Sequence, residues 1–257
     1  MPAKPPVLLL CGGLGLRQRT DADDIPKPLR RLPDGRPLLL HVMDYYRAFG
    51  LTDFVLCVGY GADSVRQVLP AAFGVRPEAV EAGVGWRRFS TDGLRVTMVD
   101  SGPSADKRQR LQDAKGHLGE TPFLLGYADV LSDFNLHTLI ESHERGRAVV
   151  TMAATRVRSR YGELVLDALG TTVTAFVEKP WQQAPISAGY FMCAQELFQW
   201  LEAGRELEDD VLPRLAAEGA LGAVAHEGLW FPLDTYKDFI DIEAIVEKEG
   251  WPWLQPI

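Results

Sequence analysis

Cysteine is scarce in this chain: three residues, Cys11, Cys57 and Cys193, among 257, with no C-x-x-C pair. So small, odd and scattered a set, in apolar surroundings, excludes a disulfide scaffold and a thiolate metal cluster. It predicts buried free thiols and a reducing, cytoplasmic compartment. Histidine is sparse too, and His41, His117, His137, His143 and His226 show no H-x-x-x-H or comparable ligand spacing. They are expected mostly on helix surfaces and sheet edges, with no catalytic duty. Positive charge is in deficit, 27 Lys and Arg against 35 Asp and Glu, for a formal net charge of −8. That balance argues against a general nucleic-acid or anionic-membrane binder, while clustered basic residues can still hold a small anion locally. No apolar stretch approaches a membrane span, and Val7–Cys11 is too short for a signal h-region. Internal repeats and linkers rich in Pro, Gly or Ser are absent.

What the chain has is ordinary globular composition, 46% hydrophobic and 24% charged, enough for a large α/β core. Val7–Cys11 and Phe54–Val58 are short, wholly apolar and closed by glycines, the pattern of strands buried on both faces. A helix is expected from Pro37 through Tyr46, stopping at Gly50, and a second after Gly61, capped by Asp63 or Ser64. Phe123–Tyr127, a helix around Leu136 to His143, and Ala148–Thr155 repeat the alternation, which points to parallel βαβ units. Beyond about residue 155 the pattern changes to shorter strands at 163–167, 172–177 and 186–192. Helices are then expected at 194–203, 211–218 and 236–249. The expected fold is α/β, a Rossmann-like mixed, mostly parallel sheet flanked by helices, in one domain spanning 1–257. Met43, Met98, Met152 and Met192 read as core filler, and Trp251 and Trp253 as packing over the core or across a subunit contact.

The first strand runs into Gly12-Gly13-Leu14-Gly15-Leu16-Arg17, followed by Pro26-Lys27-Pro28. Glycines directly after a buried strand let backbone N–H groups approach a phosphate. The loop is neither a dinucleotide G-x-G-x-x-G nor a P-loop, since no Gly-Lys-Ser/Thr follows. What it adds is Arg17 and Lys27, two cations suited to a triphosphate whose terminal groups must leave as pyrophosphate. Asp129 and Asp234 each follow an expected strand; read from the residues alone, each can also be a turn or helix cap, Asp234 for the last helix. Asp209 and Asp210 read as a solvated helix start.

These residues carry a resemblance. G-G-x-G-x-R followed by P-K-P is similar to the signature of the nucleotide-sugar pyrophosphorylases, the sugar-1-phosphate nucleotidylyltransferases. Leu9–Arg17, Asp53–Tyr60, Val96–Gly102, Gly126–Asp129, Glu178–Pro180 and Trp230–Thr235 resemble the bacterial glucose-1-phosphate cytidylyltransferases over nearly the whole chain. The resemblance implies a GT-A-like nucleotidyltransferase fold, residues about 1–155 forming the nucleotide-binding half and about 156–257 the sugar-phosphate half with the C-terminal helix. It implies a nucleoside triphosphate, CTP favoured, and a sugar 1-phosphate as substrates, Mg²⁺ as cofactor, and a homo-oligomer. Residue by residue, it assigns Cys11, Gly12, Gly13, Gly15, Leu16, Arg17, Lys27 and Arg110 to the nucleotide. Asp129 and Asp234 go to the metal, with Arg17, Lys27 and both aspartates catalytic. Tyr127, Gly162, Glu178, Lys179, Ser187 and Gly189 go to the sugar phosphate. Leu16 stands where the family usually has threonine, Ala128 and Val130 where glycines flank the metal aspartate, and Ser187 where an asparagine reaches the sugar.

Overall fold

The computed structural model describes residues 4–12, 25–91, 93–201 and 206–254. Its strands are β1 (Val7–Leu10), β2 (Asp53–Val58), β3 (Glu81–Gly83), β4 (Trp86–Thr91), β5 (Leu94–Asp100), β6 (Phe123–Tyr127), β7 (Val130–Ser132), β8 (Val150–Thr155), β9 (Glu163–Leu166), β10 (Val173–Val177), β11 (Ile186–Cys193), β12 (Leu221–His226) and β13 (Trp230–Pro232). The α-helices are α1 (Leu38–Ala48), α2 (Ala62–Ala72), α3 (Lys107–Ala114), α4 (Leu136–Arg145), α5 (Leu197–Trp200), α6 (Leu212–Ala217) and α7 (Tyr236–Glu249).

Because side chains alternate along a strand, the apolar runs of β1 and β2 serve two cores at once. Val7, Leu9, Phe54, Leu56 and Val58 face one cluster, together with α1, α2 and α4. Leu8, Val55 and Cys57 face the other, together with α3, α5 and α6. Nine strands form a single sheet in the order β12-β8-β11-β6-β1-β2-β5-β4-β3. Its centre is parallel, β6 and β2 flanking β1 and β5 beside β2. β11 runs antiparallel between β6 and β8, and β12 is parallel to β8, so the chain beyond residue 155 adds two strands to the sheet begun by the first half. The mixed, mostly parallel sheet expected from the alternation is the one observed. β9 and β10 pair only with each other, and Leu164, Val165, Leu166, Val173, Phe176 and Val177 are all exposed there.

Several local expectations are corrected. Neither Asp63 nor Ser64 caps α2. Gly61 takes the N-cap at φ +71°, because the turn after β2 enters the left-handed region and Pro26 packs where a side chain on Gly61 would begin. The helix expected at 194–203 shrinks, among the described residues, to Leu197–Trp200, since residues 194–199 close i→i+3 bonds of the tighter 3₁₀ type. His41 and His143 are buried rather than on helix surfaces. His41 stacks on Trp251 at 4.6 Å between ring centroids, and Trp253 is buried beside it, so the C-terminal aromatics do pack over the core. All three cysteines are free and buried, as expected.

Candidate active site

The parallel strands β1, β2, β5 and β6 end on the same side, and their carboxyl ends are where an open α/β sheet places its ligands. A cleft of about 700 Å³ lies there, lined among others by Gly12, Arg110, Tyr127, Asp129, Gly189 and Asp234. Among the described residues that line it there is no histidine and no cysteine.

Asp129 and Asp234 are 105 positions apart and meet through a short sheet. β7, directly after Asp129, pairs antiparallel with β13, directly before Leu233, and Leu233 N–H donates to the Asp129 carbonyl at 2.9 Å. Asp234 does not cap α7. Thr235 is the N-cap and forms a capping box with Asp238, whose carboxylate also accepts from the backbone N–H of Asp234 at 2.7 Å. With Asp238 holding the helix start, the Asp234 carboxylate turns to the cleft. Between the two aspartates sits Lys27, its Nζ 2.6 Å from Asp129 Oδ2 and 2.9 Å from Asp234 Oδ1. Lys27 begins a 3₁₀ turn flanked by Pro26 and Pro28, and buried Leu29 anchors that turn in the core. The prolines fix the backbone and leave the lysine only its side-chain torsions.

Arg110, on α3, is 5% exposed. Its Nε donates to the Ala105 carbonyl at 3.0 Å, while one terminal nitrogen has no hydrogen-bond partner among the described residues. A Cβ on Gly59 would come within 2.8 Å of both terminal nitrogens, and one on Gly12 would fall on the guanidinium itself. Gly12 and Gly59 therefore make room for Arg110 as well as for a ligand. A guanidinium nitrogen without a partner has the charge and geometry to bind an anion.

Tyr127 belongs to another group of residues in the cleft wall. Its hydroxyl donates to Glu208, Lys107 pairs with the same carboxylate, and the Lys107 ammonium lies 4.9 Å from the Tyr127 ring centroid. Burial, reinforced by Glu208, pushes the Tyr127 hydroxyl up, so it stays a proton donor. Trp230 Nε1–H donates to the Ala188 carbonyl at 2.8 Å and holds the segment carrying Ser187 and Gly189. Sequence reasoning missed Lys107, Glu208 and Trp230 as parts of this wall. Lys107 and Glu208 are 101 positions apart, and no local pattern marks their pairing.

Of the residues expected at the site, Gly12, Lys27, Arg110, Tyr127, Asp129, Ser187, Gly189 and Asp234 come together at the cleft. Cys11 lies between Leu10 and Gly12, which line the cleft, and is not itself part of the lining. Its side chain is buried in the core, Sγ donating to the Leu9 carbonyl, and burial pushes the thiol up. Gly162, Glu178 and Lys179 lie at the base of the β9–β10 hairpin and are not among the residues lining the cleft. A Cβ on Gly162 would stand 3.0 Å from Glu178 Oε2, and Lys179 Nζ is 3.8 Å from Glu178 Oε1. Gly13, Gly15, Leu16 and Arg17 fall outside the described residues.

Fold and cleft together define an α/β protein with a cavity at the carboxyl edge of its sheet that brings Arg110, Asp129 and Asp234 together. A model of the nucleotidyl transferase family matches residues 6–249, and the chain belongs to that family. It is 29% identical over 252 residues to the probable glucose-1-phosphate cytidylyltransferase of Bacillus subtilis (strain 168), covering 96% of this chain and 98% of that one. The glucose-1-phosphate cytidylyltransferase of Salmonella typhimurium is likewise 29% identical, over 96% and 97% of the two chains. A probable mannose-1-phosphate guanylyltransferase of Oryza sativa subsp. japonica is 28% identical, over 91% of this chain and 62% of that one. In fold the chain is similar to HddC from Yersinia pseudotuberculosis, with a TM-score of 0.69, 20% identity and coverage of 94% and 99%. The protein is a sugar-1-phosphate nucleotidylyltransferase. Among the described residues no helix is long and apolar enough to cross a membrane.

Proposed function

We propose that the protein joins CTP to glucose 1-phosphate, or to a closely related sugar 1-phosphate, releasing the CDP-sugar and pyrophosphate. The observation that carries this reading is the Asp129–Lys27–Asp234 cluster in a cleft shared with the buried guanidinium of Arg110. A cation held between two carboxylates shows that this pair accepts positive charge. Two carboxylates plus substrate phosphates and waters are a donor set suited to Mg²⁺. Asp129 and Asp234 would hold that ion, which when bound would neutralise charge on the nucleotide phosphates.

An oxygen of the sugar phosphate attacks the α-phosphorus in line, a new P–O bond forms, and the bond from the α-phosphorus to the bridging oxygen breaks as pyrophosphate leaves. A phosphate monoester has a second pKa of about 6 and is largely dianionic at neutral pH, so no general base is required. That agrees with a described cleft lining free of histidine and cysteine. The protein's work is positional and electrostatic. Lys27 and Arg110, with Arg17 from the glycine loop, take the triphosphate, and Lys179 takes the attacking phosphate. Lys179 has φ +47°, the one positive value outside glycine among the described residues, and strain of this kind gathers where a side chain must be aimed. Backbone groups of the glycine loop and the Gly59–Tyr60 turn would meet the base. The reading carries with it two halves meeting at residue 155, a cytoplasmic location in keeping with three free thiols, and a homo-oligomer, for which the exposed apolar residues of β9 and β10 offer a contact surface.

A second reading keeps the chemistry and changes the base, because the relatives include a probable guanylyltransferase. The deciding experiment is a matrix of nucleoside triphosphates against sugar 1-phosphates, read by product mass and pyrophosphate release. CDP-glucose as the main product is expected. A preference above about tenfold (about 1.4 kcal/mol) in kcat/KM for another triphosphate replaces the cytidylyl assignment, and no pyrophosphate from any pair removes the reaction.

A further inference from the structure

We propose that Lys27 occupies the metal position of the free protein, so that the site takes up its divalent cation together with a nucleoside triphosphate and not alone. The inference rests on the reading of Asp129 and Asp234 as the metal pair, and adds how the pair is kept closed and what opens it.

The Lys27 ammonium contacts one oxygen of each carboxylate, at 2.6 and 2.9 Å. Its side chain is 16% exposed, less than either aspartate. A divalent ion bound to the same two oxygens would stand where the ammonium stands, and two cations at contact distance repel. The lysine must then leave. Its backbone cannot move with it: Pro26 packs against Gly61, Leu29 N–H donates to the Pro26 carbonyl at 2.8 Å, and Leu29 is buried. Only the side chain can swing, and it needs another anion within its own length.

The cleft has a place for that anion. The unpartnered guanidinium nitrogen of Arg110 faces the strand-end turn at Gly12 and Gly59, and Gly12, Arg110, Asp129 and Asp234 line the same cavity. A triphosphate seated there offers Lys27 oxygens in exchange for the carboxylates it gives up. A bare metal ion offers it none. Lys27 therefore has two stations, counter-ion to the aspartates in the free protein and phosphate ligand in the complex. The site selects the metal–nucleotide complex over the free ion.

The test is binding of Mn²⁺, followed by water proton relaxation enhancement, to wild type, Lys27→Met and the double variant Lys27→Met/Asp129→Asn. Without nucleotide, Lys27→Met is expected to bind Mn²⁺ roughly tenfold or more tightly than wild type, because its competitor is gone. The double variant should lose that gain, which ties it to the aspartate pair. Adding α,β-methylene-CTP, with the GTP analogue as a second arm, should bring wild type to enhanced binding. Equal or weaker Mn²⁺ binding by Lys27→Met overturns the proposal. So does wild type that binds Mn²⁺ as tightly alone as with an analogue, a comparison that decides the matter even if the variant does not fold. If the nucleotidylyl reading itself were wrong, neither analogue would form a ternary complex and the substrate matrix would be silent. The nucleotide-free comparison of wild type with Lys27→Met would still judge the lysine.

Discussion

Lys27 and Lys179 carry the same charge and are built to do different things. Lys27 is locked between prolines against two carboxylates, whereas Lys179 is half exposed at the end of a hairpin strand. Lys27→Ala is expected mainly to lower kcat, since charge on the departing pyrophosphate grows in the transition state. Lys179→Ala should instead raise KM for the sugar phosphate while moving the nucleotide KM little. A charge-assisted contact is worth about 1.5–3 kcal/mol, so the rise should be roughly 10–150-fold. Steady-state kinetics with each substrate varied in turn reads the split, and an effect of Lys179→Ala confined to the nucleotide would reverse the assignment. Asp129→Asn and Asp234→Asn keep shape and remove charge. Each should cut turnover by about 100-fold or more with circular dichroism unchanged, and EDTA should silence the wild type until Mg²⁺ is restored. Full activity in EDTA would end the metal reading.

The elements that matter most for the site are the smallest. β7 and β13 have three residues each, yet they bring Asp129 beside Asp234. The α7 capping box decides which aspartate caps and which reaches the cleft. Thr235→Ala removes the N-cap acceptor and should cost about 1 kcal/mol of stability in urea unfolding. Asp238→Ala also frees the backbone N–H of Asp234, so its loss of kcat should exceed that of Thr235→Ala at similar stability. Equal kinetic effects would show that the box supports the helix alone. The wall around Tyr127 depends likewise on contacts between elements, α3 supplying Lys107 and the turn before α6 supplying Glu208.

Across the whole molecule, two buried histidines, His41 and His143, and the partly buried His117 bear on stability at acid pH. Burial lowers the pKa of His41, against the opposing hydrogen bond to Asp34, and burial likewise lowers His117 and His143. The reference value is 6.5. Below it the unfolded chain takes up protons that the folded chain resists, so folding stability falls as pH drops. The contribution is whole above pH 6.5 and is lost on descending through the lower folded values. Thermal unfolding should therefore give a Tm that declines from pH 7 towards pH 5. His41→Gln should flatten that decline whatever it does to the Tm at pH 7, and an unchanged slope would clear His41 of the effect.

The sequence by itself determined β1 and β2 and their buried character, because wholly apolar runs closed by glycine have few other solutions in water, whereas it left β3, β4, β5, β7 and β12 unread. It also marked Gly12 after the first strand and Lys27 between its prolines, and through its resemblance Asp129 and Asp234, because these motifs are local. Tertiary structure alone decided that Lys27 lies between the two aspartates, since that contact joins three segments separated by 102 and 207 positions. It decided that Asp238 rather than Asp234 caps the last helix. It also put His41 inside the core, where Trp251, 210 positions along the chain, covers one face of its ring. Local composition can specify an element and its buried face. Which charges meet depends on how sheet register and loop closure fold distant segments together, and no single segment carries that information.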